Sequence, residues 1–366
     1  MKQIRVLVVD DSAFLRRYLP TILETDRDIN VVGTAANGLE AIEMVKKLRP
    51  DVVTLDVNMP VMDGLTALRR IMQETPTPVL MLSALTSDGA KETMEALSLG
   101  AVDYITKPVD ITLGGVRKDL VEKIKTVYAA KVKVVAGVNV AAEKFRRLIS
   151  DLSMEAASWP GKMPAGPWTD NKELVAIAAS TGGVVALQLV LRNLLPTIPV
   201  GLVIVQHIAE GFSQALAERL NAVSPLEVRM SEGQELVRPG LGLLAPAGQH
   251  LTVTRRNGKL YTALSDQPAD TVHRPSADVL FSSVAQICGA KACAVIMTGM
   301  GNDGARGIKE IRDKGGATIA QDEDTSVIFG MPQAAINGGG IDIVAPLEKI
   351  PGEIMQVLYR SGARAS

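Results

Sequence analysis

Cysteine is scarce in this chain: 366 residues contain two, Cys288 and Cys293. That count excludes a disulfide-stapled extracellular scaffold and a cysteine-ligated metal centre. Both cysteines lie in an apolar, strand-like stretch and read as small buried hydrophobes in a reducing compartment. Aromatic residues make up only 3%, which argues against a surface that binds nucleic acid by base stacking. Neither sign of charge dominates, with 39 Lys and Arg against 40 Asp and Glu, so nothing electrostatic favours nucleic acid or an anionic membrane as partner. Long hydrophobic runs are missing too. The most apolar stretch, 174–195, is broken by Gly182-Gly183, Gln188 and Arg192, whereas a bilayer span needs about 20 mostly apolar residues. The short apolar run at the start ends at Asp10-Asp11, which does not fit a secretory signal. These absences point to a cytoplasmic globular protein with no nucleic-acid partner and no direct membrane insertion. A monomer is the default expectation.

What is present is regular. Hydrophobic residues form 47% of the chain, and its length exceeds one ordinary core, so two domains are expected. Strand-like runs at 4–9, 29–34, 52–56, 79–83 and 102–106 alternate with helical patterns at 12–23, 38–48, 65–73, 91–99 and 116–128. Continuous apolar strands separated by amphipathic helices predict a parallel sheet covered on both faces, a flavodoxin-like (βα)5 domain. Beyond it the pattern weakens. Phe145, Leu148, Ile149 and Leu152 suggest a short helix, and Trp159-Pro160-Gly161 and Pro164-Ala165-Gly166-Pro167 interrupt regular structure. Strand-like runs resume at 174–179, 200–205, 242–245, 251–254, 294–297, 318–320 and 341–344, with antiparallel content near Gly258. The expected organisation is a first domain over 1–125, a linker over 126–170 and a second, doubly wound and mostly parallel α/β domain over 171–366.

In the first domain, Asp10 and Asp11 end the first strand and Asp56 ends the third. In a flavodoxin-like order those strands are neighbours at the switch point, where ligands collect. Three converging carboxylates repel, and a hard divalent cation such as Mg²⁺ relieves that repulsion. Lys107 after the fifth strand and Ser83 ending the fourth add an ammonium and a hydroxyl, a set suited to phosphoryl transfer onto an aspartate. Taken singly, each acid could merely solvate a loop.

The runs Val9-Asp10-Asp11-Ser12, Leu55-Asp56-Val57-Asn58-Met59-Pro60-Val61-Met62-Asp63-Gly64, Leu82-Ser83-Ala84 and Tyr104-Ile105-Thr106-Lys107-Pro108 resemble a two-component receiver domain over residues 1 to about 125. The resemblance implies Asp56 as phospho-acceptor. It implies Mg²⁺ held by Asp11, Asp56 and the Asn58 carbonyl, with Asp10 assisting through water. Ser83 and Lys107 would contact the phosphoryl group, and Tyr104 would change rotamer. A histidine kinase would be the phosphodonor.

Three segments stand out in the second domain. Ala178-Ala179-Ser180-Thr181-Gly182-Gly183 follows a buried strand and opens a helix; alone it fits an exposed nucleophile, a phosphate cradle or a helix cap. Gln206-His207 puts one of only three histidines at a strand's carboxyl end. Thr298-Gly299-Met300-Gly301-Asn302-Asp303-Gly304 puts an aspartate in a glycine-rich turn after another strand. Together, Ser180, His207 and Asp303 supply a nucleophile, a base and an orienting acid at one sheet edge. Their chain order differs from that of the α/β-hydrolases.

These segments, with Leu244-Ala245-Pro246-Ala247-Gly248-Gln249-His250-Leu251 and Arg274-Pro275-Ser276-Ala277-Asp278-Val279-Leu280-Phe281, resemble the catalytic domain of chemotaxis protein-glutamate methylesterases, a family that also carries an amino-terminal receiver. The resemblance implies a Ser180–His207–Asp303 triad, with Thr181 and Met300 near the oxyanion. It implies demethylation of glutamate methyl esters on methyl-accepting chemotaxis receptors, under phosphorylation control, with no cofactor in the catalytic domain. Glutamine deamidation at the same site is left open. Ala178 for a usual glycine, Val184 for a usual proline and Ile208-Ala209-Glu210 for a proline-rich stretch depart from the family and bear on loop shape and substrate preference. The rival readings are a receiver with a DNA- or partner-binding output and a phosphate-binding module. The first lacks a helix-turn-helix or basic recognition helix, and the second leaves His207 and Asp303 without a role. His250 and His273 are read as structural or cleft-lining rather than metal-binding, since no ligand cluster accompanies them.

Overall fold

Uninterrupted apolar runs become interior strands. In a computed structural model describing residues 3–84, 86–107, 114–136 and 172–360, the chain divides into two compact units, Met1–Asp151 and Leu152–Ser366. The first unit contains β1 (Ile4–Val9), α1 (Ala13–Leu23), β2 (Ile29–Ala35), α2 (Gly38–Leu48), β3 (Val52–Asp56), α3 (Gly64–Glu74), β4 (Val79–Ser83), α4 (Ser87–Ser98), β5 (Asp103–Thr106) and α5 (Gly114–Ala136). The sheet order is β2-β1-β3-β4-β5, with every pairing parallel. All five residues of β3 and of β4 are buried, because helices cover both faces. Side chains of Ser12, Asn37, Asp63 and Thr86 cap α1 to α4, each accepting a backbone N–H of the first turn. These caps stop each strand-to-helix loop close to the sheet's carboxyl edge.

One expected boundary moves. Residues 126–136, expected to open the linker, continue α5. No glycine or proline lies between Gly115 and Ala136, so nothing stops the helix before Gly137. The expected short helix at 145–152 and the Trp159 and Pro164 breaks lie outside the described residues.

The second unit contains β6 (Leu174–Ala179), α6 (Gly183–Arg192), β7 (Gly201–Gln206), α7 (Ser213–Val223), β8 (Glu227–Met230), β9 (Leu241–Leu244), β10 (His250–Arg256), β11 (Lys259–Ser265), α8 (Ala277–Ile287), β12 (Ala292–Ile296), α9 (Ala305–Asp313), β13 (Ala317–Gln321), α10 (Met331–Asn337), β14 (Ile343–Ala345) and α11 (Ile350–Arg360). Seven strands form one parallel sheet in the order β14-β13-β12-β6-β7-β9-β8. The hairpin β10–β11 is antiparallel and separate. From β6 the chain first winds one way through β7 and then returns to β12 on the other side, so β6 and β12 flank the switch point. All six residues of β6 and of β7 are buried, and side chains of β6, β7 and β12 join Phe281, Val284 and Ile308 in one core. Cys288 caps the end of α8 and Cys293 lies in β12; both are buried, and burial pushes their thiols up to about 11 and about 12. They are therefore poor nucleophiles. Among the described residues no helix is long and apolar enough to cross a membrane.

Candidate functional site

The switch point of each sheet carries a cluster of reactive side chains. In the first unit, Asp10 follows β1 and Asp56 ends β3, and these strands are neighbours. Carboxylate oxygens of Asp10, Asp11 and Asp56 all lie within 4.8 Å of one another. The Lys107 ammonium bridges two of them, 2.7 Å from Asp56 and 3.0 Å from Asp10. Burial pushes the Asp56 carboxyl up to about 6; the hydrogen bond and charge of Lys107 pull against this, and the Asp10 charge adds to it. Burial alone would depress Lys107, but its two carboxylate partners outweigh that and hold it above the usual lysine range. A partly neutralised nest of hard oxygen donors fits a divalent cation such as Mg²⁺.

Three further residues expected here have side chains engaged elsewhere. Ser83 Oγ, fully buried, lies 2.7 Å from the Thr93 hydroxyl and 3.2 Å from the Gly89 carbonyl, both on α4. Tyr104 is buried in β5, with the Lys123 ammonium 5.8 Å from its ring centre. Asn58 follows β3, and its side-chain amide donates to Glu92 on α4 at 3.0 Å.

In the second unit, three adjacent strand ends supply the other cluster. Ser180 follows β6, His207 follows β7, and the loop after β12 leads to Asp303. The His207 amide donates to the Ala179 carbonyl at 3.1 Å, and the Gln206 side chain donates to the carbonyls of Ser180 (2.8 Å) and His207 (3.0 Å). One buried amide thus ties the two loops together. Ser180 does not cap the following helix: the N-cap of α6 is Gly182, which has φ +79° and no side-chain cap. A Cβ at Gly182 would lie 2.7 Å from Val327, and one at Gly183 would lie 2.1 Å from Gln206 Oε1. Only a Gly-Gly pair allows so close a turn.

The imidazole of His207 is nearly enclosed, and its Nε2 lies 2.7 Å from Asp303 Oδ2. Its Nδ1 is buried and has no hydrogen-bond partner among the described residues. An ionised carboxylate only accepts, so Nε2 carries a proton, and in the neutral imidazole Nδ1 is the nitrogen that holds a lone pair. Asp303 has three more donors: Ser276 Oγ (2.8 Å) and the amides of Ala277 (2.7 Å) and Asp278 (3.0 Å), at the amino end of α8. Burial would raise the Asp303 carboxyl. The hydrogen bond and charge of His207, with the helix amides, more than reverse this and hold it well below the usual carboxylate range. His273 stacks on His207, ring centres 4.1 Å apart. Thr181 is buried beside Ser180. Met300 is 47% exposed and follows Gly299, where a Cβ would lie 2.7 Å from the Ser180 Cβ.

Sequence reasoning gave no role to Ser276 or Gln206. Ser276 carried a legible signal, a serine ahead of an apolar helix with Asp278 in its first turn. Its contact with Asp303 depends on a loop far along the chain.

A family model described as CheB methylesterase matches residues 175–354, and one described as response regulator receiver domain matches residues 6–114. The protein-glutamate methylesterase/protein-glutamine glutaminase of Pyrococcus abyssi is 44% identical over 98% of this chain and 94% of its own length. The protein of the same name from Geobacillus kaustophilus is 42% identical over 98% of this chain and 99% of its own. The crystal structure of the Thermotoga maritima CheB methylesterase catalytic domain, at 38% identity, aligns with 51% of this chain and 98% of that one, with a TM-score of 0.50.

Proposed function

This chain belongs to the protein-glutamate methylesterase/protein-glutamine glutaminase family, and from that premise we propose that it is a phosphorylation-activated serine hydrolase acting on methyl-accepting chemotaxis receptors. The observation that carries the chemistry is the His207–Asp303 pair beside Ser180, with one ring nitrogen held by the carboxylate and the other without a hydrogen-bond partner among the described residues. Ser180 Oγ attacks the γ-carbonyl of a glutamate methyl ester while His207 Nδ1 takes its proton. Asp303 fixes the tautomer and stabilises the imidazolium. Thr181 and Met300 line the side of Ser180 where the oxyanion forms. The imidazolium returns the proton to the departing methoxide, giving methanol and a glutamyl-enzyme. Water, deprotonated by His207, then releases glutamate and frees Ser180. Deamidation of a receptor glutamine follows the same course with ammonia leaving.

In the receiver, Asp56 accepts a phosphoryl group from a histidine kinase. Asp11, Asp56 and the Asn58 carbonyl would hold Mg²⁺, with Asp10 assisting, and the ion would neutralise charge on the transferring phosphoryl group. Lys107 pairs with the acceptor carboxylate. Ser83 leaves Thr93 to meet the new phosphoryl oxygens, and Tyr104 repacks with it.

The test is methanol release from a methylated receptor. Ser180→Ala is expected to abolish it; near-normal turnover in that variant would refute the assignment.

A further inference from the structure

The hydrolytic reading leaves one fully buried histidine unused: His250, the first residue of β10. Both of its ring nitrogens are engaged. The Ser276 backbone N–H lies 3.1 Å from Nδ1. A backbone N–H can only donate, so Nδ1 holds a lone pair and the proton is on Nε2. That Nε2 lies 3.1 Å from the Pro268 carbonyl and 3.2 Å from the Thr271 hydroxyl. One neutral imidazole therefore joins the two ends of the 268–276 segment.

That segment touches the catalytic groups twice. Midway along it, His273 stacks on His207. At its end, Ser276 caps α8 and donates to Asp303, as do the two amides that follow. The Gly248 amide, two residues before His250, donates to the Arg274 carbonyl at 3.0 Å and braces the same stretch.

We propose that His250 is a positioning residue: acting at both ring nitrogens, it fixes the 268–276 crossover so that His273 lies flat on His207 and Ser276 meets Asp303. The inference rests on the hydrolytic reading of Ser180, His207 and Asp303. His250 touches neither substrate nor the reacting atoms, so its effect passes through the orientation of the base and its acid.

The two nitrogens can be separated by substitution in the full-length protein. His250→Asn places an acceptor where Nδ1 was and loses the Nε2 donor. His250→Gln keeps a donor near Nε2 and offers nothing to Ser276. His250→Leu loses both. kcat on a small soluble ester should fall about 10–100-fold in the Leu variant with KM nearly unchanged, and by an intermediate amount in the Asn and Gln variants, each of which keeps one of the two contacts. Equal losses in Asn and Leu, a Leu variant with full kcat, or a loss confined to KM would overturn the proposal. Imidazole ¹⁵N spectra of the unsubstituted protein test it without depending on any variant folding: Nε2 should be protonated and Nδ1 bare, and the opposite tautomer would overturn it. Ser180→Ala keeps the two readings apart. Activity surviving there refutes the hydrolytic site itself, whereas an inert Ser180→Ala beside a fully active His250→Leu refutes the His250 assignment alone.

Discussion

Asp303 accepts from four donors, two at each carboxylate oxygen, and this fixes its charge state as well as its place. Asp303→Asn would aim an NH₂ group at N–H groups and lose the hold on the His207 tautomer. kcat for ester hydrolysis should drop about 10⁴-fold with a small change in KM, measured by steady-state methanol release. The same residue has a pH signature. Its folded-state pKa lies below the ordinary 3.8, so the stabilisation it gives is present above that value and is lost as pH falls through the folded pKa. Urea unfolding of parent and Asp303→Asn should differ most at neutral pH and converge as the solution is acidified below 3.8. How much of this was legible differs by residue. Ser180, His207 and Asp303 were named because each reactive type followed a buried strand. His250 was read only as structural or cleft-lining, and Ser276 was given no role, because its contact with Asp303 spans 27 positions of the chain.

At the scale of elements, the amides reach Asp303 because α8 and α9 pack unusually close. A Cβ at Gly307 of α9 would lie 2.7 Å from Phe281 Cβ and 2.8 Å from the Asp278 carbonyl, and the Gly307 amide donates to the Asp278 carboxylate at 2.8 Å. Gly307→Ala should push the helices apart, cost about 1–3 kcal/mol in denaturant unfolding and lower kcat, since α8 and its cap Ser276 carry three of the donors to Asp303. Elements with a nearly continuous apolar run were legible to within a residue or two, as for β1, β3, β4 and β6, because burial on both faces leaves few polar positions inside the strand. Others gave little signal. The short edge strand β8 alternates exposed and buried positions over only four residues. The first turn of α4 is mostly polar, so its cap at Thr86 passed unnoticed and the helix was expected to begin at Lys91.

At the scale of the whole molecule, phosphorylation on one unit is expected to set the rate on the other. Full-length protein given Mg²⁺ and a small-molecule phosphodonor should release methanol at least about tenfold faster, equivalent to about 1.4 kcal/mol of differential stabilisation. Asp56→Asn should show no such rise, and a phosphodonor response surviving in that variant would exclude Asp56 as the switch. The two-unit layout was readable from the change in rhythm along the chain, but the extension of α5 to Ala136 was not, since a helix without a breaker carries no mark of where a domain ends. Both clusters lie over the carboxyl edge of an all-parallel sheet, the edge toward which the following helices turn their amino ends. Each proposed reaction gathers negative charge at that edge, on a phosphoryl group in one unit and on a tetrahedral oxygen in the other. Aligned peptide dipoles make such an edge mildly positive before any side chain is added. A single architectural bias, repeated in tandem, thus favours two unrelated anions.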